Sequence, residues 1–284
     1  MSVADPRTET AAVPARSAAD GVGLRPAHRR PLSSAALWEI VTRLARRQLE
    51  SKHSLTLLGW LWPLARQLAQ LGVLVFVFSK VFHQDNIENF PVFVFVGLIA
   101  WTWFSTGLGD AATSVAAQRH LVLQSRVPSA AIPLVAVVVP LVDVLIALPV
   151  LLLMLMLSNE LHWTLLLVPL LIPVQALLMA GIAWLTSAAA VYFRDVPNVV
   201  YLGLTLLFYM TPVFYASDTW PERYRWVLEI NPLATVIGCY RALLLDDPWP
   251  HAWLIGVVVA GSGVAAVLGF LFFRRLEPRF ADFQ

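Results

Sequence analysis

The sequence predicts an all-α protein that crosses a membrane six times. Of its 284 residues, 58% are hydrophobic and only 13% are charged, and the mean hydropathy is +0.70. A soluble domain carries about 25% charged residues. Several apolar runs reach the length of about 18 residues at which a helix begins to span a bilayer. The single cysteine, Cys239, excludes an intrachain disulfide and a cysteine-based metal site.

Residues 1–32 differ in composition from the rest of the chain. They are rich in Ala, Arg, Pro and Ser and contain no apolar run, so they do not resemble a secretory signal peptide. Asp5, Glu9 and Asp20 also argue against a transit peptide, because transit peptides are poor in acidic residues. We therefore expect a disordered cytosolic tail.

Residues 33–54 predict an amphipathic helix at the membrane interface. Leu37, Ile40, Val41 and Leu44 have the i, i+3, i+4, i+7 spacing of one helical face. The basic residues fall largely on other faces, and a helix with a basic polar face suits the inner membrane surface. A solvated helix that packs on a partner explains the same pattern equally well. The basic candidates are Arg43, Arg46 and Arg47.

Six apolar segments form the predicted transmembrane domain, residues 55–273, which a cytosolic tail follows at 274–284. Prolines lie inside the third and fourth segments, and such prolines are tolerated where neighbouring helices or water satisfy the freed carbonyls. We therefore expect bent helices. The spans are predicted near residues 55–82, 90–115, 130–157, 164–191, 199–215 and 249–273.

Basic residues are distributed unevenly between the spans. With the N-terminus inside, the inner segments carry fifteen Lys and Arg residues and the outer segments carry four. Because Lys and Arg are in excess on the cytoplasmic side of membrane proteins, both ends of the chain are predicted to be cytosolic.

Residues 219–245 are predicted to form two short re-entrant helices on the outer side, before the last span. A seventh span here would place the basic C-terminal segment outside, against the charge bias. Thr219 and Glu222 match a capping box, which predicts the start of the first helix. Asn231 and Pro232 predict the start of the second, whose roughly 14 residues span about 21 Å, too short to cross. The candidates in this outer region are Glu222, Arg223, Arg225, Asn231 and Arg241.

Four segments resemble motifs of the type-2 ATP-binding-cassette polysaccharide exporter permeases. Residues 51–82 contain Leu-Gly-x-x-Trp-Pro and end on Val-Phe-Ser-x-x-Phe, and residues 119–134 resemble the following inner loop of that family. Residues 191–215 contain Phe-Arg-Asp-Val-x-Asn, and residues 221–245 contain Asn-Pro-Leu-x-x-x-Ile-x-x-Tyr-Arg. Each motif is weak alone, whereas four in order are specific to the family.

The resemblance implies the membrane subunit of an exporter for O-antigen or teichoic acid in the bacterial inner membrane. Such subunits act as homodimers with two copies of a cytosolic ATPase, and they move undecaprenyl-diphosphate-linked glycan outward. The chain contains no G-x-x-x-x-G-K-[ST] sequence with which to cradle ATP phosphates. ATP and Mg²⁺ are therefore expected on the partner ATPase, and this chain is expected to be a transport subunit without cofactor, metal, nucleic acid or catalytic residue.

The resemblance also implies roles for charged residues near the inner surface. The loop after the second span resembles a coupling helix that presses into the ATPase, although a plain positive-inside loop explains its charges. Its candidates are Arg119, His120, Leu121, Gln124 and Arg126. The arginines of the amphipathic helix suit a lipid diphosphate, because guanidinium forks match phosphate oxygens. Arg194 and Asp195 fit an inner-gate ion pair or, equally, an exposed anchor pair.

Aromatic residues inside the second and fifth spans predict a lining for the glycan path. Aromatic faces contact sugar rings of many kinds, which suits translocation without tight binding, and ordinary core packing is the alternative explanation. The candidates are Trp101, Trp103, Phe104, Phe208 and Tyr209.

Other functions remain open alternatives. Asp143 lies deep in the third span, and an intramembrane carboxylate suits a proton-coupled carrier, with Arg66 as a candidate partner. A capsule or drug exporter of the same family and a membrane scaffold also fit. Hydrolase or transferase chemistry has no support, because the histidines are scattered and no G-x-S-x-G sequence occurs.

Overall fold

The computed structural model describes residues 34–53, 59, 61–81, 87–118 and 128–280, and these contain helices and irregular segments but no strand. The predicted tail at residues 1–32 lies outside the described residues. So do all the candidate coupling residues, which are Arg119, His120, Leu121, Gln124 and Arg126.

Ten α-helices are present in these described segments. They are α1 Ser34–His53, α2 Leu61–Phe76, α3 Phe90–Ala117, α4 Ala131–Val138, α5 Leu141–Leu157, α6 Leu171–Tyr192, α7 Val196–Met210, α8 Trp226–Ile230, α9 Pro232–Leu244 and α10 Ala252–Leu276. A π-helical turn, Val77–Val81, extends α2, and a 3₁₀ helix, Trp163–Leu170, leads into α6. Further 3₁₀ turns are Ser217–Thr219, Glu222–Tyr224 and Glu277–Arg279.

Five helical stretches are long and apolar enough to cross a membrane, and they confirm five of the six predicted spans. They are Leu61–Val81, Phe90–Ala117, Ala131–Leu157, Trp163–Tyr192 and Ala252–Leu276. The predicted fifth span is the shorter α7, with 15 residues. It ends at Met210 because Thr211 precedes Pro212, and a residue before proline disfavours the helical region. A sixth crossing therefore stays a prediction.

Helix α3 occupies the centre of the bundle. It contacts α2, α4, α5, α6, α7 and α9. Of its 28 residues, 20 are buried. Phe95 and Leu98 are fully enclosed. A helix that is apolar all round is expected in the interior, and the sequence from Phe90 to Trp101 has this character.

Helices α6 and α10 pack backbone to backbone. A Cβ atom added to Gly181 would lie 2.4 Å from the carbonyl carbon of Ala265, and one added to Gly269 would lie 2.3 Å from the carbonyl oxygen of Gly181. Small residues permit this close approach, which holds membrane helices together in the absence of a hydrophobic driving force.

The third span is interrupted where a bend was predicted, and the bend itself stays a prediction. The span is divided at Pro140 into α4 and α5, and Pro149 lies inside α5. Helix α1 is present where the amphipathic pattern predicts a helix, and its Val41 and Ala45 are buried against α4. The location of α1 at a membrane surface stays a prediction.

The segment before α10 contains the two expected short helices. The turn Glu222–Tyr224 with α8 meets α9 at 93°. The capping box predicted at Thr219 and Glu222 was wrong, since neither the turn nor α8 has a side-chain cap. The reason is that Trp220 and Pro221 are extended, with ψ of 135° and 140°. Trp220 precedes a proline and is therefore driven out of the helical region. The Asn231 cap is confirmed, since its side chain accepts a hydrogen bond from the Leu233 amide at 3.1 Å.

Candidate functional site

A groove of about 510 Å³ lies between α2, α3 and α7. Helix α3 presents Trp101, Ser105 and Gly109, each four residues after the last, so these residues lie on one helical face. Helix α7 presents Tyr201, Thr205, Phe208 and Tyr209 by the same logic. Other lining residues are Gln70, Thr106, Asp110 and Leu204.

The aromatic residues of this groove form a connected series. The rings of Trp101 and Phe208 have centroids 5.3 Å apart, and those of Phe208 and Tyr209 are 5.4 Å apart. Trp101 is 6% exposed, whereas Tyr209 is 62% exposed. The series therefore runs from the core of the bundle to its surface.

Three hydroxyl groups of the groove donate their protons to backbone carbonyls. Thr205 Oγ1 donates to the Tyr201 carbonyl at 2.8 Å, Tyr201 Oη donates to the Gly109 carbonyl at 3.4 Å, and Ser105 Oγ donates to the Thr102 carbonyl. Hydroxyl oxygens keep lone pairs after donating. The groove therefore offers aromatic faces together with hydrogen-bond acceptors.

The five predicted path aromatics do not all lie in this groove. Trp101, Phe208 and Tyr209 line it. Phe104 is buried beside Trp101, with ring centroids 6.1 Å apart. Trp103 lies on another face of α3, where its Nε1 donates to the Val137 carbonyl at 3.0 Å and its ring lines an apolar cavity of about 240 Å³.

Sequence reasoning missed the polar half of the groove. The hydroxyl residues Ser105, Thr106, Tyr201 and Thr205 were not singled out, although their spacing from the aromatic candidates was a usable signal.

Arg241, a candidate of the predicted outer region, lies inside the protein and is 4% exposed. Its two terminal nitrogens donate to the carbonyls of Pro212 at 2.7 Å, Val213 at 2.7 Å and Phe93 at 3.2 Å. The guanidinium carbon is 3.4 Å from the centroid of the Phe93 ring. A Cβ atom added to Gly97 would lie 2.9 Å from the same guanidinium group. Arg241 therefore joins α9 to α3 and to the chain after α7.

A second contact holds in place the two helical segments Glu222–Ile230 and Pro232–Leu244, here called the bent pair. The Asn231 side-chain amide donates to Thr211 Oγ1 at 2.8 Å, and both residues are buried. The remaining candidates of this region, Glu222, Arg223 and Arg225, are exposed.

Arg241 also lines a cavity of about 510 Å³ at what we call the bent-pair end of the bundle. Acidic residues surround this cavity, and Glu160 accepts a hydrogen bond from Asn89 at 2.9 Å. Burial raises the pKa of the Asp247 carboxyl, Arg241 opposes this rise, and Glu160 and Asp218 add to it. The acidic lining residues are Glu88, Glu160, Asp218, Asp246 and Asp247.

The charged candidates at the opposite end of the bundle are exposed. Arg43 pairs with Glu39 at 2.6 Å and Arg46 pairs with Glu50 at 3.0 Å along α1, and Arg47 is also exposed. Arg194 and Asp195 lie in the turn before α7, and in the described part of the chain no ion pair joins them.

Asp143 lines a cavity of about 10 Å³ together with Gln67 and Thr102. Its expected partner, Arg66, is exposed, whereas the next residue along α2, Gln67, is buried. Among the described residues, no group of three His, Cys, Asp or Glu side chains is arranged to hold a metal ion.

Comparison with known proteins identifies the family. The family model for ABC-2 type transporters matches residues 40–245. An O-antigen export system permease protein from Klebsiella pneumoniae is 28% identical over 87% of this chain and 95% of its own length. One from Myxococcus xanthus is 30% identical over 86% of this chain and 94% of its own length. With five apolar helices long enough to cross a bilayer, this chain is a multi-pass membrane protein and belongs to the ABC-2 type transporter family.

Proposed function

We propose that this chain is the membrane subunit of an ATP-driven exporter that moves lipid-linked polysaccharide of the O-antigen type across the bacterial inner membrane. The supporting relatives are O-antigen export permeases that align with nearly the whole chain. Because the sequence contains no phosphate-binding loop of its own, the energy comes from a partner ATPase that supplies ATP and Mg²⁺ binding.

The groove between α2, α3 and α7 is the proposed substrate path, and it is the observation that carries the proposal. Its aromatic faces stack on sugar rings without requiring one particular sugar, and its hydroxyl oxygens accept hydrogen bonds from sugar hydroxyls. Such contacts are individually weak, which suits a polymer that must slide through.

The groove lies on an open side of the molecule, where a second copy of the chain completes the path. Helix α7 buries only Leu204, and α2 buries only Gln67 and Leu71. The exposed apolar residues of these helices include Phe76, Leu202 and Leu206. In the proposed homodimer, α2 and α7 of both protomers enclose the path.

The proposed topology places both chain ends in the cytosol and the bent pair outside. The excess of basic residues in the inner segments supports this orientation. The bent pair then forms a re-entrant element beside the exit, and Arg241 and Asn231 anchor it to the end of α7. Glu222, Arg223 and Arg225 face the exit side.

Coupling to the ATPase and entry of the lipid-linked glycan take place on the cytosolic side. Residues 119–126, between α3 and α4, contact the ATPase, and two ATPase subunits serve the homodimer. The arginines of α1 bind the lipid diphosphate. Their ion pairs with Glu39 and Glu50 are exposed, and exposed pairs contribute about 0–1 kcal/mol, so a phosphate displaces the carboxylates at low cost. Arg194 and Asp195 flank the entry.

The test is reconstitution of the full chain with its partner ATPase in proteoliposomes. Undecaprenyl-diphosphate-linked O-polysaccharide is expected to stimulate ATP hydrolysis and to appear across the membrane only when ATP is supplied. Phosphatidylethanolamine vesicles without the glycan lipid are the control. Failure to form a stable complex with any ATPase contradicts the proposal, and transport driven by a proton gradient alone indicates the Asp143 carrier instead.

A further inference from the structure

The chain ends its last span in a turn that contacts the start of the third span. Residues 277–280, here called the C-terminal turn, follow α10 directly. Ser129, which is 1% exposed, donates a hydrogen bond from Oγ to the Glu277 carboxylate. Arg274 lies 3.8 Å from the other oxygen of that carboxylate. The hydroxyl, the carboxylate and the guanidinium therefore form one linked set.

Aromatic packing holds the C-terminal turn in place. Phe280 is 6% exposed, and its ring centroid is 5.3 Å from that of Phe273 and 6.3 Å from that of Tyr192. Tyr192 Oη donates to the Leu276 carbonyl at 3.3 Å. The turn is thus attached both to α10 and to the end of α6.

The start of α4 is held from two sides. Ala130 and Ile132 pack in the cluster that contains Phe273 and Phe280, whereas Ala131 and Val135 pack against α1. Trp184 of α6 also donates to the Ala130 carbonyl at 2.9 Å. Ser129 is therefore connected through these contacts to α6 and α10, which pack backbone to backbone.

We infer that the C-terminal turn is a positioning element for energy coupling, in which Glu277 holds Ser129 and connects the ATPase-contacting loop to the α6–α10 pair. This inference rests on the proposed function, in which residues 119–126, the loop that precedes Ser129, contact the ATPase. Glu277 acts through Ser129 and contacts neither nucleotide nor glycan.

The test compares Glu277→Ala with Glu277→Gln in the reconstituted complex. The glutamine carbonyl still accepts the hydrogen bond from Ser129, whereas alanine cannot. Glu277→Ala is expected to lower the glycan exported per ATP hydrolysed by about tenfold, the factor that corresponds to one lost hydrogen bond, while Glu277→Gln keeps a neutral acceptor and is expected to lose less. Arg275→Ala, on an exposed position of the same helix, is the matched control.

If the wild-type complex exports glycan with ATP and Glu277→Ala exports the same amount of glycan per ATP, the inference is overturned. A wild-type complex that neither hydrolyses ATP in response to the glycan nor exports it contradicts the proposed function instead, so the two failures are distinct.

A disulfide between cysteines at positions 129 and 277 gives a second test, in which a covalent link takes the place of the hydrogen bond. The native Cys239 is buried, so Ser129→Cys with Glu277→Cys provides the reactive pair. The reduced double variant lacks the hydrogen bond and is therefore expected to export about tenfold less glycan per ATP than wild type, as Glu277→Ala does. Oxidation that cross-links the pair is expected to raise this ratio toward that of wild type, because the covalent link again holds residue 129 against the C-terminal turn. A ratio that cross-linking leaves unchanged or lowers further overturns the inference.

Discussion

The two sides of the helix bundle differ in how closely their helices approach. Helices α6 and α10 are in backbone contact at Gly181 and Gly269, whereas α2 and α7 enclose an open groove with α3. In a bilayer, helices associate through close packing rather than through a hydrophobic driving force. The α6–α10 contact is therefore made within one chain, while the α2–α7 groove is where we propose that a second copy and the substrate bind.

Replacing Gly181 with valine is expected to have the largest effect on stability, because it disrupts the backbone contact between α6 and α10. Even a Cβ atom at this position lies 2.4 Å from the Ala265 carbonyl carbon, which neighbouring side chains cannot relieve. Overpacking typically costs about 1–3 kcal/mol, and more where the obstacle is backbone. The yield of monodisperse protein after detergent extraction is expected to fall sharply.

Gly263→Val on α10 is the matched control, since a Cβ there has no other atom within 4 Å. If both valine variants extract equally well, backbone contact is not what holds this side together.

Replacing Arg241 with methionine is expected to have the next largest effect. The change leaves the carbonyls of Phe93, Pro212 and Val213 without their donor. A buried polar group left unpaired costs about 1–3 kcal/mol, so a destabilisation of about 3 kcal/mol or more is expected. Thermal melting of the purified protein measures it, and Arg241→Lys is expected to be intermediate, because an ammonium lacks the planar fork.

The exposed Arg225 supplies the control, and Arg225→Met is expected to melt within about 1 °C of wild type, as surface changes usually do. Equal melting of Arg241→Met and wild type contradicts the assigned role of Arg241.

The contrast between Arg241 and Asn231 shows what sequence reasoning can reach. Asn231 followed by Pro232 predicts a helix start from neighbouring residues alone, and the cap is present. The burial of Arg241 could not be predicted, because its partners are 28, 29 and 148 residues away along the chain. Contacts of that kind carry no local signal.

In the fold and the groove, too, features set by neighbouring residues could be predicted, whereas contacts between distant residues could not. Five of the six spans predicted from apolar run lengths are long enough to cross a membrane, whereas the shortness of α7 depends on the Thr211-Pro212 step. The face shared by Trp101 and Ser105 follows from helical spacing. The pairing of Trp101 with Phe208 follows only from the packing of α3 against α7.

A double replacement of Phe208 and Tyr209 by leucine tests the open side. Tyr209 is exposed and Phe208 only partly buried, so melting is expected to change little. An aromatic contact contributes about 0.5–1.5 kcal/mol beyond its buried area, so export is expected to slow by up to about tenfold. The measurement is glycan transport by the reconstituted complex, with Tyr224→Leu, exposed and outside the groove, as control. Unchanged export would falsify the assignment of the groove as the path.

Replacing Asp247 with asparagine is expected to have the smallest effect, which is a change in how the melting temperature depends on pH. Burial and the nearby Glu160 and Asp218 raise the pKa of this carboxyl in the folded chain despite the opposing charge of Arg241. The folded protein therefore binds this proton more tightly than the unfolded chain does, and the carboxylate lowers stability once the pH exceeds the raised pKa.

Asp247→Asn removes that penalty, so the melting temperature of the variant minus that of wild type is expected to be more positive at pH 8 than at pH 4. Because the side chain is only half-buried, solvent screening keeps the difference to a small shift. Asp246→Asn is the control, as it changes the neighbouring residue on the same cavity wall. A difference that is larger at pH 4 reverses the sign and indicates that attraction to Arg241 outweighs burial, which would make the Asp247 carboxylate part of the contact that holds the bent pair.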